Sequence, residues 1–288
     1  MRTRLLSAAV LVPVVVIVFW LGRPWTSIGI AVVAILVAWE ASTLIRSAGL
    51  PANRWLAAVP ALLLIVHFEL TNSSLTFYYG WPSQVAEYLV IAWVLIAAVD
   101  GLRQMDPHQG FLAWAGTLVA GLYAALLAFA VAILTFHVGD SSGNGRFWLL
   151  TLVLTVWTLD SAAYVVGKYF PRGQFFNHIS PNKTWSGAIG GTVAAVIACV
   201  VVIVVLSAGG SDPLSPTVGV VLGIVIAVAA QAGDLTESMV KRAAGVKDSG
   251  AMIPGHGGIL DRVDSFLFAA PAMFVTLIVL SHTSLGVS

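Results

Sequence analysis

The sequence SMVKRAAGVKDSGAMIPGHGGILDRVD, residues 238–264, lies between two long apolar runs at 218–231 and 266–280. It carries four of the chain's fourteen Lys and Arg residues and three of its thirteen acidic residues, although only 9% of all residues are charged. A Pro-Gly-His-Gly-Gly turn lies within it, at 254–258. Charge is expensive to keep beside membrane-length apolar segments, so this stretch is the first candidate for a functional site.

The composition predicts the fold class. Hydrophobic residues make up 59% of the 288-residue chain, and the mean hydropathy is +0.94. Soluble domains contain roughly 45–50% apolar residues. Apolar runs near 20 residues are typical of transmembrane helices, and these runs lack the alternation of barrel strands. We therefore predict an all-α polytopic membrane protein.

Nine transmembrane helices are predicted, each with ends good to a few residues. They lie at about 5–22, 26–45, 54–71, 83–99, 111–136, 147–169, 184–208, 216–240 and 263–282. The first has a long apolar core and no small-residue cleavage site after it, so we interpret it as a retained span rather than a signal peptide.

Positive charge predicts the orientation. With nine spans, twelve of the fourteen Lys and Arg residues fall on the side of the N-terminus, and only Arg23 and Arg146 fall on the other. By the positive-inside rule, the N-terminus is then cytoplasmic and the C-terminus lies outside. Omitting the weak fourth span would reverse this bias, so the charges favour nine.

We expect residues 1–145 to be a lipid-embedded scaffold of about five helices, and 146–288 to be the catalytic region. In the first half, Glu40, Glu69 and Glu87 lie within or at the ends of predicted spans. Intramembrane carboxylates are candidate functional residues. None has a partner nearby in the sequence, so packing, a hydrogen bond or an interfacial position is the alternative for each.

The second half carries further polar residues upstream of the charged stretch. Asp160 lies more than three turns into an apolar run, where it either bonds to a neighbouring helix or faces a polar cavity. Lys183 follows a Ser-Pro turn and precedes a helix that Thr184 or Ser186 can cap, a position suited to meeting an anion. Gly187 and Gly191 form a small-xxx-small pair that predicts close helix packing.

Acidic residues flank the glycine turn at both ends. Asp234, Glu237, Ser238 and Lys241 share one helix face. Asp261, Asp264 and Ser265 share the start of the last span. The simpler alternatives are a solvated helix end and acids that complement a helix dipole. Carboxylates close together repel unless protonated or bridged by a cation, and oxygen ligands suit Mg²⁺.

Basic residues and glycines complete the pattern. Lys241, Arg242, Lys247 and Arg262 surround the acids, and glycine N–H groups can cradle phosphate. Together these features predict phosphoryl or nucleotidyl transfer. Neither a Walker motif nor a dinucleotide fingerprint is present.

The charged stretch resembles the signature of the CDP-diacylglycerol synthase (phosphatidate cytidylyltransferase) family. The matching positions are Ser238, Lys241, Arg242, Lys247, Asp248, Gly250, Pro254, His256, Gly257, Gly258, Asp261, Arg262 and Asp264. Asp160-x-x-x-Tyr164 and Ser180-Pro-x-Lys183-Thr184 also resemble family segments, so the similarity covers most of 155–270. Ser186 departs from it, because many members have Glu there.

The resemblance implies that CTP and phosphatidate give CDP-diacylglycerol and pyrophosphate with Mg²⁺, and that a second cation is an option. The predicted catalytic residues are Asp234, Lys241, Arg242, Lys247, Asp248, His256, Asp261, Arg262 and Asp264. Those predicted to bind substrate are Lys183, Ser180, Tyr164, Ser238, Gly257 and Gly258. Asp234 and Asp261 are the first predicted metal ligands, with Asp264 and Asp160 in support. The sequence leaves two roles open for His256, which are binding phosphate and shaping the turn.

Two other functions stay open at this point. Polar groups in several spans could line a transporter pathway, although the charges cluster at one end. A CDP-alcohol phosphotransferase is disfavoured, since its DGxxAR pattern fails after Asp100–Gly101. We expect a bacterial inner (plasma) membrane, an active site facing the cytoplasm and no nucleic-acid partner. A homodimer is one option for the oligomeric state.

Overall fold

The computed structural model describes residues 2–71, 85–136, 144–207, 214–253, 255 and 257–283, without the side chains at 2–8, 10–12, 144, 206 and 207. Regular structure in these ranges is helical, and two isolated bridges join Gln174 to Thr184 and Ile253 to Gly257. The helices are α1 (Arg2–Leu21), α2 (Trp25–Ser47), α3 (Arg54–Thr71), α4 (Val85–Leu102), α5 (Pro107–Ala125), a 3-10 helix (Leu126–Ala128), α6 (Phe129–Leu134), α7 (Asn144–Tyr169), α8 (Trp185–Ser207), α9 (Pro216–Ala243) and α10 (Leu260–Ser281).

The all-α class predicted from composition is confirmed. Eight helical segments in the described ranges are long and apolar enough to cross a membrane, with α5, the 3-10 helix and α6 counted as one segment, Pro107–Leu134. Each coincides with a predicted span to within a few residues. Helix α1 covers the remaining predicted span but is not among the eight. The count of nine and the orientation of the termini stay predictions.

The chain divides into two compact units. The first unit combines Met1–Ala132 with Val240–Val263, and the second combines Ile133–Met239 with Asp264–Ser288. Helices α9 and α10 each contribute residues to both. The loop at 244–259 therefore groups with the N-terminal helices, whereas the functional division predicted at 145/146 stays a prediction.

Close helix contacts build the core of the first unit around α3 and α5. Trp93 of α4 is 1% exposed, and its indole N–H donates to the Leu56 carbonyl at 2.8 Å. Its ring lies against Gly121 of α5, where an added Cβ would approach the ring to 2.5 Å. Asn53 caps α3 by accepting from the N–H of Trp55.

In the second unit, α7 and α8 pack closely along a glycine face. An added Cβ would lie 2.8 Å from the Ala163 carbonyl at Gly187 and 2.9 Å from the Ala163 Cβ at Gly191. The prediction that these two glycines serve packing is confirmed. Helices α9 and α10 meet in the same way at Gly233, whose added Cβ would lie 2.5 Å from the Asp264 carbonyl.

Candidate active site

In the first unit, the end of α9 and the start of α10 are joined by a buried ion pair. Lys241 Nζ lies 2.7 Å from Asp261 Oδ1, and the two side chains are 12% and 8% exposed. Helix α9 ends in a Schellman arrangement, because Val246 N–H donates to the Lys241 carbonyl and Gly245 adopts a φ of 72°. This turn leads the chain directly from Lys241 into the loop.

The second oxygen of Asp261 is held by the loop itself. Oδ2 accepts from Ser249 N at 2.9 Å, from Ser249 Oγ at 2.9 Å and from Gly258 N at 2.8 Å. Four donors therefore fix this carboxylate, three of them neutral and one a lysine ammonium. Asp261 is thus a pre-positioned negative charge rather than a solvated acid that only complements the dipole of α10.

The glycine turn makes room for this arrangement. Gly257 has a φ of 83°, and a Cβ there would lie 2.7 Å from Asp261 Oδ2. A Cβ at Gly258 would overlap both Ser249 Oγ and a Glu40 carboxylate oxygen. The sequence predicted glycine N–H groups for substrate phosphate, whereas Gly258 N–H donates to Asp261. Substrate contact by Gly257 and Gly258 stays a prediction.

Ser249 was not selected from the sequence, and Glu40 was a candidate that the sequence did not distinguish from two other glutamates. Ser249 matches no family position that we used, and Glu40 was one of three equivalent glutamates. The structure separates those three: Glu40 is 6% exposed and bonded to the loop, Glu69 pairs with Arg23 at 2.8 Å, and Glu87 is exposed. No local sequence signal distinguishes them, because the loop partners of Glu40 lie more than two hundred residues away.

Several predicted catalytic residues in the loop at 244–259 and in the helix ends beside it are exposed. Arg242 is exposed, and its guanidinium donates to the Val246 carbonyl at 3.2 Å. Lys247, Asp248 and Arg262 are also exposed. These charges are accessible to a ligand, unlike Lys241 and Asp261. His256 lies outside the described residues, so the prediction made for it is not tested.

In the second unit, Lys183 and Asp234 form a second short ion pair. Lys183 Nζ lies 2.7 Å from Asp234 Oδ2, and the side chains are 25% and 33% exposed. The charges of Asp234 and Lys183 both act on Asp160 of α7. Ser238 makes a long contact of 3.5 Å with Asp234 Oδ1. The structure thus brings Lys183 and Asp160 together with Asp234 and Ser238, which the sequence had already placed on one helix face.

Hydrogen bonds in the loop before α8 fix the position of Lys183. Lys183 N–H donates to the Ser180 carbonyl at 3.3 Å, which closes a turn around Pro181. Thr184 then caps α8 by accepting from Gly187 N–H at 3.1 Å, as one of the two predicted caps. Ser186 does not cap the helix but connects the start of α8 to the loop after α7, because its Oγ donates to the Phe170 carbonyl at 2.6 Å.

Other predicted residues of the second unit have less constrained positions. Asp160 has an exposed surface in α7, and the choice between a bond to a neighbouring helix and a polar cavity stays a prediction. Tyr164 is 67% exposed, and Lys168 lies over its ring at 5.7 Å. Asp264 accepts from the Ser265 N–H at 2.7 Å within the first turns of α10.

The carboxylates suit a magnesium ion that substrate phosphates also bind. Among the residues that the structure describes, no three His, Cys, Asp or Glu side chains gather as a metal site. Mg²⁺, however, usually takes one or two carboxylates together with waters and phosphate oxygens. Asp160 and Asp234 are two carboxylates of the second unit that the sequence predicts for such a role. The donor set therefore fits Mg²⁺ better than a cation enclosed by protein ligands.

Comparison with known proteins gives one consistent result. The sequence profile of the cytidylyltransferase family matches residues 2–280. A Synechocystis protein named phosphatidate cytidylyltransferase is 30% identical over 311 aligned residues, covering 96% of each chain. Proteins of the same name from Haemophilus influenzae and Brucella suis are 29% and 34% identical, over 94% and 70% of this chain and 96% and 80% of their own.

These matches settle the class of the protein. The profile includes both ion pairs, the glycine turn and nearly every helix, so the similarity is not confined to one motif. The protein is an integral membrane enzyme and a nucleotidyltransferase, which removes the transporter alternative. The chain belongs to the cytidylyltransferase family.

Proposed function

We propose that the protein is a phosphatidate cytidylyltransferase, which converts CTP and phosphatidate into CDP-diacylglycerol and pyrophosphate for phospholipid biosynthesis. Support for the substrates comes from the relatives of that name, which align over most of their length. The structural observation that carries the proposal is the buried Lys241–Asp261 pair beside the glycine turn. It lies within the stretch whose residue pattern resembles that activity's signature.

The reaction needs charge neutralisation more than it needs a base. A phosphate oxygen of phosphatidate attacks the α-phosphorus of CTP, and the bond from this phosphorus to the α–β bridging oxygen breaks. Pyrophosphate leaves with the bonding electrons. Phosphatidate is already an anion, so no strong general base is required. Cationic side chains reduce the repulsion between two polyanions and stabilise the leaving group.

Five basic residues of the candidate site have a role in this proposal. Arg242, Lys247 and Arg262 are exposed and would bind CTP phosphates. Lys241 would exchange Asp261 for a phosphate oxygen during binding. Lys183, held by the Ser180 turn, would face the phosphatidate headgroup.

Acidic residues would hold Mg²⁺ in both units. Asp160 and Asp234 are proposed ligands in the second unit, with Asp264 in support. In the first unit, Oδ1 of Asp261 is the proposed ligand atom, because Oδ2 already accepts three hydrogen bonds. The bound ion would neutralise phosphate charge and polarise the α-phosphorus. A second cation is compatible with this number of carboxylates.

The proposed location is supported by the charge distribution and by the relatives. The relatives compared above are bacterial proteins, which supports a bacterial inner membrane. Twelve of the fourteen Lys and Arg residues lie on one side of the predicted nine-span arrangement, which supports a cytoplasmic active site. A homodimer is compatible with this proposal but is not needed for it.

The proposal is tested by incubating purified protein with CTP, phosphatidate and Mg²⁺ in mixed micelles. We expect CDP-diacylglycerol by mass spectrometry and one pyrophosphate released for each CTP consumed. Diacylglycerol in place of phosphatidate is the matched control and should give no product, because it lacks the attacking phosphate. Folded protein that makes no CDP-lipid would contradict the proposal.

A further inference from the structure

Glu40 lies in the N-terminal region that the sequence predicts to be a scaffold, yet its carboxylate bonds to the loop at 244–259. It belongs to α2 and is 6% exposed. Its Oε1 accepts from Ile259 N at 3.1 Å, and its Oε2 accepts from Leu260 N at 2.8 Å. These N–H groups open helix α10 and directly precede Asp261. Glu40 thus supplies from another helix the acceptors that a capping side chain normally provides.

Ser249 connects Glu40 to Asp261. Its hydroxyl oxygen lies 3.0 Å from Glu40 Oε2 and 2.9 Å from Asp261 Oδ2. A hydroxyl has one proton, so it donates to one of the two carboxylates at a time. The same oxygen accepts from Asp261 N at 3.3 Å. A change at Glu40 therefore reaches Asp261 through one intervening hydroxyl.

Glycines on both sides of the loop leave room for the Glu40 carboxylate. A Cβ at Gly250 would lie 2.7 Å from Glu40 Oε1. A Cβ at Gly258 would overlap Glu40 Oε2. Two glycines of the motif that resembles the family signature thus border a carboxylate from outside that motif. The need for glycine at these two positions is therefore explained by the Glu40 carboxylate, without a contact to substrate.

We propose that Glu40 is a positioning residue that holds Ser249, Gly258 and Asp261 in the conformation that binds CTP. The proposal rests on the proposed function, because it assigns the positioned loop to the nucleotide. Glu40 touches neither substrate. Its contribution is to fix the start of α10, so that the loop does not have to become ordered when CTP binds.

The substitution Glu40→Gln tests this role with little change of shape. Glutamine has one acceptor oxygen and one donor NH₂ group, whereas Glu40 Oε1 and Oε2 each accept from a backbone N–H. In either orientation the NH₂ group opposes a backbone N–H of residue 259 or 260. We expect the KM for CTP to rise about tenfold or more, with the KM for phosphatidate unchanged. Equilibrium binding of radiolabelled CTP should weaken by the same factor.

Hydrogen–deuterium exchange gives a readout that does not depend on activity. In full-length Glu40→Gln protein in detergent, the peptide covering 249–262 should exchange faster than in the wild type. Glu69→Gln is the matched control, because Glu69 is a glutamate of the same unit that bonds to Arg23 and Ser27 instead. It should leave both the exchange at 249–262 and the KM for CTP unchanged.

Ser249→Ala is the second variant, since it removes the link to Asp261 while Glu40 keeps its two backbone contacts. It should raise the KM for CTP, and the double variant should raise it by less than the product of the two single effects. Unchanged exchange at 249–262 in Glu40→Gln would overturn the positioning role, as would an unchanged KM for CTP. Folded wild-type protein that forms no CDP-lipid would refute the proposed function separately, and the exchange result would then decide the positioning role alone.

Discussion

Lys241 and Asp261 form a 2.7 Å ion pair that joins the end of α9 to the start of α10. The pair is nearly enclosed by protein, and three further donors from Ser249 and Gly258 hold the other carboxylate oxygen. Breaking a buried pair on one side typically costs about 3–5 kcal/mol, because the remaining charge is left uncompensated. An enzyme keeps such a pair where a fixed charge is needed, and here it adjoins exposed basic residues.

Asp261→Asn should lower turnover by at least about a hundredfold while the protein still inserts into the membrane. Lys241 Nζ donates to one oxygen of Asp261, and two backbone N–H groups donate to the other, so an amide NH₂ would oppose a donor in either orientation. The measurement is CDP-lipid formation by purified protein. Asp106→Asn is the control, because Asn replaces Asp well at the exposed cap of α5. Near-wild-type turnover in Asp261→Asn would refute the metal assignment.

Lys183→Gln should reduce kcat/KM for phosphatidate by about tenfold or more. It removes the cation from Asp234 and Asp160, and it removes the charge proposed to meet the lipid phosphate. Activity measured against phosphatidate concentration in mixed micelles checks this. Arg103→Gln, which neutralises an exposed cation, should behave as the wild type. An effect on CTP alone would contradict the assignment of Lys183 to the lipid.

Gly258→Ala should abolish activity and destabilise the loop, since its Cβ would overlap Ser249 Oγ and Glu40 Oε2. Gly245→Asn is the control: Gly245 has a φ of 72° and nothing within 4 Å of an added Cβ. Asparagine tolerates the left-handed conformation, so this change should cost roughly 1 kcal/mol or less. Equal activities in the two variants would show that the turn is not as tightly packed as described.

Ser186→Ala should lower the thermal stability of the loop that carries Lys183. It removes the 2.6 Å bond to the Phe170 carbonyl and the acceptor for Arg172 N–H, a loss of about 1–3 kcal/mol. Differential scanning fluorimetry measures the change in Tm. Ser47→Ala, which removes an exposed bond to the preceding turn of α2, should have a smaller effect. A smaller loss in Ser186→Ala than in Ser47→Ala would contradict the anchoring role of Ser186.

Much of the fold was predictable because membrane helices have a strong, local signal. Apolar length located the eight membrane-length segments from α2 to α10 to within a few residues. The Gly187/Gly191 pair predicted that α8 packs closely on another helix, without indicating that this helix is α7. The 3-10 helix Leu126–Ala128 was not predicted, since its residues include no glycine or proline. It interrupts a segment whose hydropathy alone indicates one continuous helix.

The site was predictable only where its residues are close in sequence or match a known pattern. Lys241, Asp261 and the glycine turn lie within one stretch, and their pairing agrees with the predicted constellation. Glu40 could not be selected, because a buried glutamate has the same sequence signature whether it bonds to Arg23, as Glu69 does, or to the catalytic loop. Ser249 was missed because a serine next to a glycine is common in turns that have no role in catalysis.

The most direct test of the account is the fate of the CTP phosphates. Purified protein is incubated with phosphatidate and Mg²⁺, in parallel with CTP labelled at the α-phosphorus and at the γ-phosphorus. We expect the α-label in a CDP-lipid and the γ-label in pyrophosphate, with EDTA abolishing both and added Mg²⁺ restoring both. Absence of α-label from the lipid, or appearance of γ-label in it, would contradict cytidylyl transfer to phosphatidate.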